Sequence, residues 1–93
     1  MDRNDCVFTG ILKEDARINK KNGRSWAVFN MSVNTDGHIN IIEIRTQFLS
    51  DDYDFSHLIH YKAGEKVTVS GELRVSPSGR FYIRAKDYER VAL

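Results

Sequence analysis

Cysteine, proline and long apolar runs are what this chain has least of, and each shortage closes off a class of protein. One cysteine, Cys6, among 93 residues leaves no intramolecular disulfide and no thiolate set for a structural zinc; a small buried hydrophobe is its expected role. A single proline, Pro77, beside 41% apolar and 29% charged residues, excludes a collagen-like or disordered chain and fits a soluble globular domain. No segment approaches the roughly 20 apolar residues that span a bilayer. The opening Met1-Asp2-Arg3-Asn4-Asp5 is too polar to begin a signal peptide. A cytoplasmic protein of one domain, residues 1–93, is the expectation, with no membrane partner. Neither sign of charge dominates: the net charge of +1 argues against binding nucleic acid by bulk charge alone.

Patterns of catalysis and metal binding are also missing. His57 and His60 stand three apart, near enough on a helix to share a metal, but no acid or cysteine lies at a recognised ligand spacing. His38 falls in a turn. Asp51, Asp52 and Asp54 crowd the expected start of that helix, where carboxylates stabilise the macrodipole. No phosphate loop, nucleophile elbow or acid–base pair occurs. The chain reads as a non-enzyme that needs no cofactor and no metal.

What is present is alternation. Over residues 66–75, Val67, Val69, Leu73 and Val75 share one parity, opposite Lys66, Thr68, Ser70, Glu72 and Arg74, so one face of a strand is buried and one is wet. Gly71 falls on the buried parity, and a glycine inside a strand marks a bulge or sharp bend. Residues 5–18 form a β-prone stretch with Gly10 in a similar place. Asn22-Gly23 then signals a hairpin, because both residues tolerate positive φ. In the next strand Ala27, Phe29, Met31 and Val33 are the expected core, opposite Trp26, Val28 and Asn30. Asp36-Gly37 makes a second turn into residues 39–49, where Ile42, Ile44, Thr46 and Phe48 alternate with Glu43, Arg45 and Gln47. Residues 50–61 carry the capping signals of one short helix ending before Gly64. Ser76-Pro77-Ser78-Gly79 turns into a last strand in which Phe81, Ile83 and Ala85 oppose Tyr82, Arg84 and Lys86.

Three strands, a helix and two strands, with glycines bending the first and fourth strands, predict an all-β protein with one short helix. Its fold class is a five-stranded Greek-key OB-fold barrel, and a split α+β sheet is the rival. Residues 10–26 hold five cations against two acids and residues 74–90 hold five against two, whereas the segment between is net acidic. If the two ends meet in space, the barrel has a basic side.

Single strands of nucleic acid are held by aromatic platforms for the bases and a cationic groove for the phosphates. Trp26 and Tyr82 lie on the parities opposite the expected core, each beside arginines, and Phe48 is a third aromatic candidate with the core as its other place. A barrel cap or dimer interface is the alternative for Trp26, and a covered sheet face for Tyr82. The cationic candidates are Lys20, Lys21, Arg24, Arg45, Arg74, Arg80 and Arg84, the first three and Arg80 lying in the two loops that clamp oligonucleotides in OB-folds.

Over almost its whole length the chain resembles the single-stranded DNA-binding protein (SSB) family. The likeness rests on Asn4-Asp5-Cys6-Val7-Phe8-Thr9-Gly10-Ile11-Leu12, on Asp15-Ala16-Arg17, and on the run from Asn22-Gly23-Arg24-Ser25-Trp26 to Met31-Ser32-Val33-Asn34. It ends in Tyr61-Lys62-Ala63-Gly64-Glu65-Lys66-Val67-Thr68-Val69-Ser70-Gly71-Glu72-Leu73. In length and compact end the chain also resembles the primosomal replication proteins of the restart pathway. The resemblance implies sequence-independent single-stranded DNA binding in replication, recombination or repair, by a homo-dimer or homo-tetramer. Three departures stand out. The hairpin over residues 35–40 is short, Ile41 or Ile42 occupies the region of the family's third-strand tryptophan, and the sequence ends at Val91-Ala92-Leu93 where the family has a tail with an acidic tip. Recruitment of partners by such a tail is therefore not expected. The alternative reading is an oligomeric OB-fold adaptor that binds protein and no nucleic acid.

Overall fold

A computed structural model of the chain describes residues 2–46, 49–50 and 62–91. Among these residues seven strands follow one another: β1 (Cys6–Leu12), β2 (Arg17–Lys21), β3 (Arg24–Thr35), β4 (His38–Arg45), β5 (Leu49–Ser50), β6 (Lys66–Val75) and β7 (Phe81–Arg90). Five of them close a barrel. β1 pairs with β6, β6 with β7, β7 with β4 and β4 with β3, and β3 returns to β1 through Ile11 opposite Ser32 and Leu12 opposite Met31. Among the described residues only the β4–β7 pairing is parallel. A fifth barrel strand inserted between the third and the fourth is the arrangement of the OB-fold, and the all-β expectation is met. β2 and β5 lie outside the ring, each paired with β3. The helix expected over residues 50–61 lies outside the described residues apart from Ser50, which ends β5. Among the described residues no helix is long and apolar enough to cross a membrane.

The two glycines singled out by alternation mark close crossings of backbone. A Cβ on Gly10 would overlap the carbonyl oxygen of Ser32, so the bare glycine is what lets β1 close onto β3. A Cβ on Gly71 would overlap the carbonyl oxygen of Arg84 and lie 2.9 Å from the Ala85 Cα. Beside it the β6–β7 register shifts: Ser70 faces Asp87 and Gly71 faces Ala85, leaving Lys86 as the extra residue of a bulge. Both two-residue hairpin turns form as read, with positive φ at Asn22 and Gly23 and at Asp36 and Gly37.

The core is Leu12, Ala27, Phe29, Met31, Ile44, Val67, Val69, Ile83 and Ala85. All come from the inward parities, and Tyr88 joins them at a tilted 6.1 Å ring contact with Phe29; Val28, expected on the outer parity, is also buried, at 4% exposure. Cys6 is half-buried and packs against this cluster.

Three departures from simple alternation have local causes. The stretch expected as one strand over residues 5–18 breaks after Leu12. There the Asp15 carboxylate accepts the Ala63 amide at 2.9 Å and pins the corner to the turn before β6. β4 stops at Arg45 because Thr46 turns back on β3, its Oγ1 accepting the Ala27 amide at 2.8 Å and its own amide bonding the Ala27 carbonyl at 2.9 Å. Leu73, Val75 and Phe81, on the inward parity, are 43%, 56% and 67% exposed, because β6 and β7 run on past the barrel as a free arm. Asn4 caps the start of that arm: its side chain bonds both the amide and the carbonyl of Leu73, extending the β1–β6 ladder by one pair.

Candidate nucleic-acid interface

On the outer face of β3, β4, β6 and β7 the side chains of Trp26, Arg45, Thr46, Arg74, Tyr82 and Arg84 line a cavity of about 140 Å³. The ladders bring them there. Arg74 faces Tyr82 and Glu72 faces Arg84 across β6 and β7, Arg45 pairs with Arg84 across the parallel β4–β7 junction, and Val28 faces Arg45 across β3 and β4. A strand presents alternate residues on one face, so Glu72 and Arg74, Tyr82 and Arg84, and Glu43 and Arg45 stand side by side on the same outer surface. Trp26 also borders a second cavity of about 350 Å³, lined by Lys21, Asn22, Arg24 and Trp26 at the β2–β3 hairpin. The two cavities share Trp26 as a lining residue, so the groove is taken to run from one to the other past it.

Of the ten residues singled out from the sequence, seven line this groove: Lys21, Arg24, Trp26, Arg45, Arg74, Tyr82 and Arg84. Lys20 and Arg80 are exposed and line neither cavity; Arg80 sits at the β6–β7 turn, its amide bonded to Ser76 Oγ at 3.1 Å. Phe48 lies outside the described residues, as do His57 and His60. Among the described residues no group of His, Cys, Asp and Glu is arranged to hold a metal ion.

The groove is not uniformly cationic. Arg45 donates from Nε to Glu43 Oε2 at 2.8 Å, and its guanidinium lies 4.1 Å from the centre of the Tyr82 ring, covering one face of it. Such a cation–π contact contributes about 0.5–1 kcal/mol at an exposed site and orders both groups. Arg74 Nε donates to Glu72 Oε1 at 2.9 Å, while Lys86 Nζ lies 3.9 Å from Glu72 Oε2. The Arg74 hydrogen bond holds the Glu72 carboxyl below its ordinary value of 4.5, and the charges of Arg74, Lys86 and Arg84 act in the same direction against a smaller desolvation effect.

Glu43, Glu72 and Lys86 were not among the candidates that alternation marked as binding residues. Lys86 shares the parity of Tyr82 and Arg84, and that signal was available. The place of Glu72 beside it depends on the β6–β7 register, which no spacing in the sequence reveals.

The fold has close structural counterparts. The small single-stranded DNA-binding protein from Streptomyces coelicolor superposes with a TM-score of 0.77 over 98% of this chain and 95% of its own, at 18% identity. The second single-stranded DNA-binding protein (SSBb) of Mycobacterium smegmatis gives 0.73 over 94% and 87%, at 11% identity. The SSB domain of a Synechococcus protein gives 0.66 over 95% and 96%, at 13% identity. No family model matches the sequence, and no curated protein matches it either. The likeness is therefore one of fold: an OB barrel of the kind built by small single-stranded DNA-binding proteins.

Proposed function

We propose that this chain binds single-stranded DNA without sequence preference, as a non-enzymatic SSB-like protein of replication, recombination or repair. The observation that carries the reading is the convergence of Trp26, Arg45, Arg74, Tyr82 and Arg84 on one outer groove, which Lys21 and Arg24 extend. Two aromatic rings among five cations supply both halves of single-strand recognition, stacking for the bases and positive charge for the backbone. Lys20, in β2 beside the β2–β3 hairpin turn, and Arg80, at the β6–β7 turn, contact the strand as it enters and leaves. The fold shared with single-stranded DNA-binding proteins supports the same reading. A homo-dimer or homo-tetramer acting in the cytoplasm belongs to it.

The test is quenching of Trp26 fluorescence by oligothymidine, with anisotropy of a labelled strand measured in parallel at several salt concentrations. The chain has one tryptophan, so the signal has one source. Saturable quenching that weakens as salt rises is the expected result. The absence of both quenching and an anisotropy change at low salt would overturn the proposal.

One feature favours a second reading, an oligomeric adaptor that binds protein and no nucleic acid. Phe8, Ile41, Ile42, Leu73 and Phe81 border an apolar groove beside the free arm of β6 and β7, and Ile41, Leu73 and Phe81 are exposed. Absence of the fluorescence response, with these residues engaged in self-association, is the outcome that reading requires.

A further inference from the structure

Glu72 is the anomaly of the basic face. Its side chain is only 19% exposed, against 45% for Arg74 and 55% for Lys86 beside it, so it sits between them and not out in solvent. Its two oxygens point at different cations, Oε1 to Arg74 and Oε2 to Lys86, and Arg84 faces it across the ladder. Lys86 is brought there by the bulge, which inserts it between Ala85 and Asp87 opposite the step from Ser70 to Gly71. Ion pairs whose cations are this exposed add little to stability. Three cations around one carboxylate instead reproduce the surroundings of a phosphodiester, whose two free oxygens are held by guanidinium and ammonium groups.

Resting on the single-strand reading above, we propose that Arg74, Arg84 and Lys86 form a phosphate subsite whose resident anion is the Glu72 carboxylate, displaced by a backbone phosphate when a strand binds. Glu72 is then an internal competitor that weakens binding. Lys86 is a phosphate contact that becomes fully available only when Glu72 lets go. Arg45 and Glu43 differ in kind, since Arg45 is also held against the Tyr82 ring and so orders a stacking surface.

The experiment measures anisotropy of a labelled oligothymidine over a salt series for the wild type, Glu72→Gln, Asp36→Asn and the double variant Glu72→Gln/Lys86→Ala. Asp36→Asn removes the same charge at the β3–β4 turn, outside the groove, where Asn accepts the positive φ. Glu72→Gln should tighten binding about 3- to 10-fold at low salt and steepen the log–log salt slope by about 0.7, the mark of one more phosphate contact on a single strand. The double variant should lose that gain, and Asp36→Asn should show little of it. Independently of how Glu72→Gln folds, Lys86→Ala should weaken binding more than Lys66→Ala, which removes an exposed lysine at the start of β6. Equal gains for Glu72→Gln and Asp36→Asn, or equal losses for the two lysine variants, would overturn the subsite while leaving single-strand binding intact. No binding by any of these proteins would overturn both.

Discussion

The two halves of the β6–β7 hairpin carry the same alternation and meet opposite fates. Val67, Val69, Ile83 and Ala85 are buried to within 3% exposure, whereas Leu73, Val75 and Phe81, on the same parity, are 43–67% exposed. The divide crosses the Leu73–Ile83 pair, two residues past Gly71: Ile83, paired on its other side with Ile44 of β4, is buried, and Leu73 opposite it is not. Alternation shows which residues share a face. Whether that face has a cover depends on what packs against it, and past the Leu73–Ile83 pair Val75 and Phe81 lie open.

Ile83 and Phe81, two residues apart on β7, give the sharpest test of the contrast. Ile83→Ala empties a site in the core and should cost about 2–5 kcal/mol in denaturant unfolding. Phe81→Ala removes a larger side chain from the free arm and should change stability by less than about 0.5 kcal/mol. Equal losses would mean that the arm is covered in solution. The bulge beside that divide is tested by Gly71→Ala, whose added methyl would overlap the Arg84 carbonyl oxygen; strain of this kind costs about 1–3 kcal/mol.

Much of the fold was legible because its signals are local. Asn22-Gly23 and Asp36-Gly37 set two hairpins through their own φ preferences, and the inward sets of β3 and β7 placed Ala27, Phe29, Met31, Ile83 and Ala85 in the core. What was not legible depends on pairing between distant strands. The break after Leu12 needs Asp15 to find Ala63, and the end of β4 needs Thr46 to find Ala27. The groove divides in the same way. Parity put Trp26, Tyr82 and the arginines outside, but the parallel β4–β7 junction lays Arg45 over Tyr82, and the bulge brings Lys86 to Glu72.

Tyr82 and Phe81, adjacent on β7, extend the comparison from stability to binding. Tyr82 lines both the cationic groove and the apolar one, whereas Phe81 lines the apolar one and not the cationic one. Tyr82→Ala should weaken oligothymidine binding by about 1–3 kcal/mol, the contribution of one stacked base, with little loss of stability. Phe81→Ala should leave oligothymidine affinity unchanged. The opposite pattern would move the binding surface to the apolar side.

The smallest expected effect separates two carboxylates shifted in the same direction that have different duties. The amide of Ala63 lowers the Asp15 carboxyl from 3.8, helped by Lys62 and opposed by desolvation, and Arg74 lowers Glu72 from 4.5. A carboxyl lowered in the folded state contributes stability that is complete above its ordinary value and is lost as pH falls through the folded value. Melting temperature should therefore decline as the solution is acidified below about 4.5, with Asp15 adding its share below about 3.8. Asp15→Asn should melt lower than the wild type near neutrality, and that gap should close at acid pH, because Asp15 joins the corner after β1 to the turn before β6. Glu72→Gln should also melt slightly lower, yet bind oligothymidine more tightly. A carboxylate whose removal lowers melting temperature and raises affinity is held in place against function, whereas Asp15→Asn should lower the first and leave the second alone.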